Sequence, residues 1–293
     1  MDTQLLQLLV NGIAVGSIIA LAAVGLTLTY GILRLANFAH GDLMTLGAYL
    51  TLVFDVLLSQ WGIPNIWLSI ALGAVLTIGV ALITEKLLWS PMRDRRATST
   101  TLIIISIGLA LFLRNGITMI WGAGNQKYDL PVARAIDLFG IKIAQNRIIV
   151  VVLTALVILA LHYILQNTKV GKAMRAVADN VDLARVSGIN VEQVVIWTWV
   201  IAAGLTAIGG GMYGLVTAVR PNMGWFLILP MFASVILGGI GNPYGAIAGA
   251  FVIGIAQEVS TYWLPGEYKL GIALMLMILV LLVRPQGIFR GTM

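Results

Sequence analysis

The chain has 293 residues, 59% of them hydrophobic and only 10% charged, with a net charge of +6, 32 Gly and no Cys. A soluble domain carries roughly 25% charged residues, so soluble enzymes and soluble nucleic-acid-binding domains are excluded. The missing cysteines exclude disulfides, thiolate metal sites and thiol nucleophiles.

Successive apolar runs of about 20 residues predict an all-α fold, a polytopic transmembrane bundle forming a single domain over 1–293. The alternation expected of membrane barrel strands is missing. The opening Met1-Asp2-Thr3-Gln4 carries no Lys or Arg, so the first run is expected to be a retained span rather than a cleaved signal peptide. Apolar runs fall near 5–33, 39–59, 63–88, 99–121, 147–166, 192–219, 225–240, 243–262 and 267–284. They predict eight or nine spans, with half-helices or a re-entrant turn around Gly241-Asn242-Pro243.

The junction of the first two runs is unusual. Between Gly25 and Tyr49 stand Thr27, Thr29, Tyr30, Asn37, His40, Asp42, Thr45 and Tyr49. Polar groups at membrane depth must face protein, water or a passage. Two readings stay open, interhelical hydrogen bonding and the lining of a translocation pathway. The pathway candidates are Thr27, Tyr30, Asn37, His40, Thr45 and Tyr49.

Lys and Arg gather in a few loops. Arg34 follows the first run, Lys86, Arg93, Arg95 and Arg96 follow the third, Lys169, Lys172, Arg175 and Arg185 lie in 167–191, and Arg284 and Arg290 lie in the tail. The positive-inside rule makes these cytoplasmic and leaves the N-terminus outside. The loop 122–146, with Lys127, Asp129, Pro131, Arg134, Asp137 and Lys142, is expected to face out. So are 59–64 and 263–268, where Trp61, Trp67 and Trp263 suit an interface. Among the intramembrane acids Asp42, Asp55, Glu85 and Glu258, Asp55 and Glu258 are read as interfacial. Arg114 is read as snorkelling to the surface. His40 and His162 offer no metal-ligand spacing, and no metal site is expected.

Lys169 to Asn190 is a charged segment between two long apolar runs. Met174, Val177, Val181 and Ala184 recur at three- and four-residue steps, which predicts one short amphipathic helix outside the lipid. Gly188 is placed to end it. Later, Gly241, Gly245 and Gly249 make two small-xxx-small steps. Asn242, Tyr244-Gly245 and Gly249-Ala250 faintly echo Asn37, His40-Gly41 and Gly47-Ala48. No phosphate-binding GxxxxGK[ST], HExxH or GxSxG occurs. The chain reads as a pore without an engine, and no catalytic residue is expected.

Gly25–Asp42, GLTLTYGILRLANFAHGD, resembles the permease subunits of bacterial ABC importers for branched-chain amino acids, the LivH type. GKAMRAVADN with the following Ala184 and Gly188-Ile189-Asn190 is similar to the family's cytoplasmic loop, and LGGIGNPYGA at 237–246 and VRPQGIF at 283–289 look like its C-terminal signatures. The resemblance implies a coupling helix that docks on an ATPase, with Arg175, Ala176, Asp179, Asp182, Ala184 and Gly188 as its docking residues. It further implies a second permease subunit, often a different chain, two ABC ATPases that hold the ATP and Mg, and a periplasmic substrate-binding protein, all at a bacterial inner membrane. This chain would itself carry no cofactor. The alternative is a self-contained secondary carrier or channel for small neutral amino acids or amides such as urea, whose mark would be a functional midspan acid.

Overall fold

A computed structural model describes residues 3–130, 135–138 and 141–289. Met1, Asp2, Pro131, Arg134 and Arg290 lie outside the described residues. The apolar runs fold as helices because a span in lipid must satisfy its backbone groups within itself. First come α1 (Thr3–Leu33), α2 (His40–Gln60) and α3 (Ile66–Thr84), which continues through a π turn at Glu85–Trp89 into α4 (Ser90–Asp94). After α5 (Ser99–Trp121), an antiparallel ribbon of β1 (Ala135–Leu138) and β2 (Ile141–Ala144) leads into α6 (Gln145–Asn167). This ribbon is a departure from the plain loop expected over 122–146. Then follow α7 (Lys169–Asp179), α8 (Val181–Val186), α9 (Val191–Val216), α10 (Met223–Gly238), α11 (Pro243–Ser260) and α12 (Lys269–Val283).

Side-chain caps mark many of the starts. The carbonyl oxygens of Asn65, Asn190 and Asn242 accept from N–H groups in the first turns of α3, α9 and α11. The Thr98 and Thr168 hydroxyls do the same for α5 and α7. Among the described residues, seven helices are long and apolar enough to cross a membrane. α10 and α11 add a hairpin that turns at Gly239–Asn242, so the fold accords with the expected span count.

α1 is the central post, buried on every side from Gly16 to Thr29. It runs antiparallel to α11, with Gly12 against Ile255 and Gly16 against Ala250, and antiparallel to α9, with Gly25 against Ala202 and Ile18 against Gly209. α2 runs alongside α9 in the same direction, and α5 runs alongside α2. α5, α6 and α12 keep apolar side chains such as Phe112, Leu159 and Leu282 on the outside, as a lipid-facing or partner-facing rim requires. The directions bring Arg34, the 93–96 bases, α7 and α8, the 239–242 turn and the tail to one end of the bundle. At the other end an antiparallel bridge between Gln126 and Val219 ties the α5–α6 connection to the α9–α10 loop.

Candidate functional site

The charged segment forms two helices rather than the single one expected. Asn180 breaks it with extended backbone (φ −156°, ψ 109°), and its side chain then caps α8 by accepting from the Leu183 N–H at 2.9 Å. Asparagine competes with helical hydrogen bonding through its own side chain, which favours a cap over an interior position. The end is as expected. Gly188 takes φ +85°, its N–H reaches Arg185 O at 3.1 Å, and Ile189 N–H reaches Ala184 O at 3.0 Å, a Schellman closure.

The apolar face of this pair turns inward. Met174, Val177 and Ala184 are buried in the bundle core, whereas Val181 is left outside. Ala184 therefore packs on its own chain, and Ala176 is half-buried. Arg175, Asp179, Asp182 and Gly188 are exposed. So are Leu183 (65%) and Val186 (87%), apolar residues on α8 that periodicity alone did not single out. The pair is held firmly from within. Arg175 donates to Leu165 O at the foot of α6. Arg34, in the left-handed conformation at φ +52°, donates to Ala178 O at 3.3 Å. Gly171 lies so close to α6 that a Cβ would stand 2.2 Å from Leu165 O.

The pathway candidates are placed unevenly. Thr27 is buried and its hydroxyl accepts from the Gly241 N–H at 3.0 Å. The Thr45 hydroxyl donates to Gly41 O at 3.2 Å and accepts from the Gly224 N–H at 2.9 Å, where α10 begins. His40 Nε2 sits 2.9 Å from Ala22 O and 2.7 Å from Thr206 Oγ1, bridging α1, α2 and α9. Asn37 Oδ1 accepts from Ala39 N–H at 3.1 Å. The Asn37 Nδ2, His40 Nδ1 and Tyr49 hydroxyl groups are buried without a hydrogen-bond partner among the described residues. Tyr30 is half-buried near the end of α1.

Arg114 does not snorkel. Its Nε and Nη2 donate to the two carboxylate oxygens of the buried Asp42 at 3.1 and 3.0 Å, and its guanidinium stacks 4.6 Å from the Trp225 ring centroid. Sequence spacing hides this pair, because 72 residues separate its members. The same distance problem hides Trp199, whose Nε1 donates to Glu85 Oε2 at 2.6 Å while Arg93 holds the same carboxylate. His162 is likewise engaged, 2.8 Å from the Tyr244 hydroxyl. Asp55 accepts from the Asp129 N–H at 3.0 Å, and Glu258 pairs with Lys269, both towards the ends of their helices.

Two cavities frame this arrangement. One, of about 410 Å³, lies at the basic end between α1, α6, α7 and the 239–242 turn. It brings Thr27 together with Arg175 and Asp179, which are far apart in sequence. The other, of about 520 Å³, lies at the opposite end between α5, α9 and the start of α10.

Comparison with known proteins gives this geometry its context. The family described as "Branched-chain amino acid transport system / permease component" matches residues 8–281. The high-affinity branched-chain amino acid transport system permease protein LivH of Escherichia coli is 33% identical, covering 97% of this chain and 94% of that one. LivH of Salmonella typhimurium is 32% identical over the same shares, and BraD of Pseudomonas aeruginosa is 31% identical, covering 97% and 95%. Among solved structures, a chain of PsaBC from Streptococcus pneumoniae in complex with Fab shares the fold, with a TM-score of 0.53 and 14% identity over 98% of this chain and 94% of that one. On the match along nearly its whole length, the chain belongs to the branched-chain amino acid transport system permease family.

Proposed function

We propose that this chain is the permease subunit of an ATP-driven importer and forms half of a pathway for branched-chain or other neutral amino acids. It works with a second permease subunit, two ABC ATPases and a periplasmic substrate-binding protein in a bacterial inner membrane. The N-terminus is periplasmic and the C-terminus cytoplasmic. The observation that carries this reading is the exposed α7–α8 pair, anchored by Arg34, Arg175 and Gly171 at the end where the Lys and Arg loops gather. The sequence has no nucleotide-binding motif. A chain with such a docking surface draws its energy from elsewhere. ATP and Mg belong to the partner ATPases, and this subunit has no catalytic role.

Closure of the ATPase dimer on ATP would push α7 and α8. Their buried face moves α6 and α9, and the cavity beside Thr27 lets the 239–242 turn respond. Differential binding of ATP to two arrangements of the spans then gives alternating access. Asn37, His40 and Tyr49 border the passage in this reading. Buried donors and acceptors without partners are costly unless another state uses them, and Thr27 and Thr45 act as clamps beside them.

The test is uptake of labelled leucine by cells making the chain with its partner subunits. Uptake must stop when the ATPase catalytic glutamates are replaced. Uptake that persists on a proton or sodium gradient alone would establish the secondary-carrier alternative. Orientation is checked with single cysteines at Ser59, Asn125 and Ser187, since the chain has none of its own. An impermeant reagent on spheroplasts labels the first two only, and labelling of Ser187→Cys instead inverts the topology.

A further inference from the structure

The cavity opposite the coupling helices has a distinct chemistry. Arg220 is its exposed base, and among the described residues it has no carboxylate partner. Arg114 also borders it, but Asp42 holds that guanidinium with two hydrogen bonds and neutralises it. None of the lining residues is acidic. Met223 and Phe226 give one apolar side, and Asn125 and Asn222 give neutral side chains that both donate and accept. The loop is fixed, because Val219, next to Arg220, exchanges two 2.9 Å backbone hydrogen bonds with Gln126, and the Arg220 carbonyl accepts from the Met223 N–H at 3.1 Å.

We infer that this cavity receives the substrate as a free amino acid, with Arg220 facing its α-carboxylate and Met223 and Phe226 facing its side chain. The inference rests on the importer reading above and adds to it a site on this chain. A guanidinium without a carboxylate partner among the described residues, set among apolar and neutral polar groups, selects a ligand with one anionic end. The ammonium group needs acceptors rather than a counter-charge, and the amide oxygens of Asn125 and Asn222 supply them. The volume, about 520 Å³, falls within the range of roughly 300–1,000 Å³ of small-molecule sites. Placed where the α9–α10 loop opens away from the basic end, it would be the first stop after release from the binding protein. The paired Arg114 is a positioning residue here, since it holds α5 against α2 and Trp225.

The same guanidinium could instead meet an acidic side chain of the docked binding protein, and the experiment separates the two sources. The complete importer is reconstituted in proteoliposomes, and uptake of labelled L-leucine is followed at two concentrations of leucine-loaded binding protein, the higher one saturating. Loss of one charge-assisted hydrogen bond at Arg220→Gln is expected to lower maximal uptake roughly ten-fold or more at both concentrations. ATPase stimulation by the loaded binding protein persists, and Arg220→Lys recovers part of the rate. A defect that saturating binding protein repairs assigns Arg220 to docking and overturns the site. Unimpaired uptake in Arg220→Gln, or equal loss in the Gln and Lys variants, also overturns it. A wild-type importer that moves leucine beside an unimpaired Arg220→Gln defeats this site alone. A wild type that moves no neutral amino acid defeats the functional reading and the site together.

Discussion

Residues 25–49 and 169–190 are two stretches where polar side chains interrupt apolar sequence, and the fold treats them in opposite ways. In the first, the polar groups turn inward. His40 reaches α1 and α9, Asp42 reaches α5, and Thr45 reaches the backbone of α10. In the second, Met174, Val177 and Ala184 turn inward and Arg175, Asp179, Asp182 and Arg185 stay outside. The environment explains the inversion. Within the spans, lipid is as apolar as leucine, so polar contacts and close backbone approach hold helices together. At the end of the bundle water is available, and ordinary hydrophobic burial decides which face turns in. A polar residue is thus an adhesive in one stretch and a solvated surface in the other.

The comparison breaks most readily at the buried ion pair. Arg114→Ala leaves the Asp42 carboxylate buried and unpaired, which should cost about 3–5 kcal/mol. The expected outcome is a large loss of monodisperse protein in detergent. Replacing both members, Asp42→Leu with Arg114→Leu, should restore much of the yield, because an apolar pair leaves no orphan charge. If the double variant is as unstable as the single one, the pair is more than an adhesive. Next in size is Gly41→Val. A Cβ there would stand 2.3 Å from Gly224 O, so α2 and α10 must part, at about 3 kcal/mol. Thermal unfolding of the purified protein measures it.

Much of this was legible in the sequence. Apolar run lengths gave the helices to within a few residues, whereas the Asn and Thr caps emerged only with the fold. Lys and Arg placement anticipated which loops share an end. The break at Asn180 was masked by an apolar spacing that runs unbroken from Met174 to Ala184, since a period does not register one extended residue. The pairing of Asp42 with Arg114, and of Glu85 with Trp199, lay beyond reach for a different reason. Pairing across helices depends on which spans are neighbours, and a single sequence states the face of each helix more clearly than its partner. The same limit kept open the choice between adhesive and passage for Thr27, Asn37, His40 and Thr45.

That choice is sharpened by two smaller substitutions in the first stretch. Thr45→Val removes a hydroxyl that serves the Gly224 N–H, at about 1 kcal/mol. Asn37→Ala removes an amide whose Nδ2 has no hydrogen-bond partner among the described residues, though its Oδ1 accepts from the Ala39 N–H. For a clamp, transport should fall only as far as folded protein does, and this is expected for Thr45→Val. For a residue beside the passage, transport rate or substrate preference should change more than abundance, and this is expected for Asn37→Ala. The passage assignment is dropped if both variants lower abundance and activity in the same proportion with preference untouched.

The smallest effect on stability falls in the second stretch, and there the functional effect should be greatest. Leu183 and Val186 on α8 are exposed, so in the isolated subunit Leu183→Ser with Val186→Ser changes stability by no more than about 0.5 kcal/mol. On the importer reading, these most exposed apolar side chains of α8 would fill a groove on an ATPase. A few buried apolar anchors carry most of the energy of such an interface. The double variant should insert and purify as well as the parent, yet lose co-purifying ATPase and leucine uptake together. Ala184→Arg makes a poor substitute for this test, because Ala184 is buried at 3% exposure and a guanidinium there would disturb the bundle itself. Should the serine variant keep both its ATPase and its transport, the outward face of α8 is solvated surface. Docking would then have to pass through Arg175, Asp179 and Asp182, and the two polar stretches would differ only in exposure.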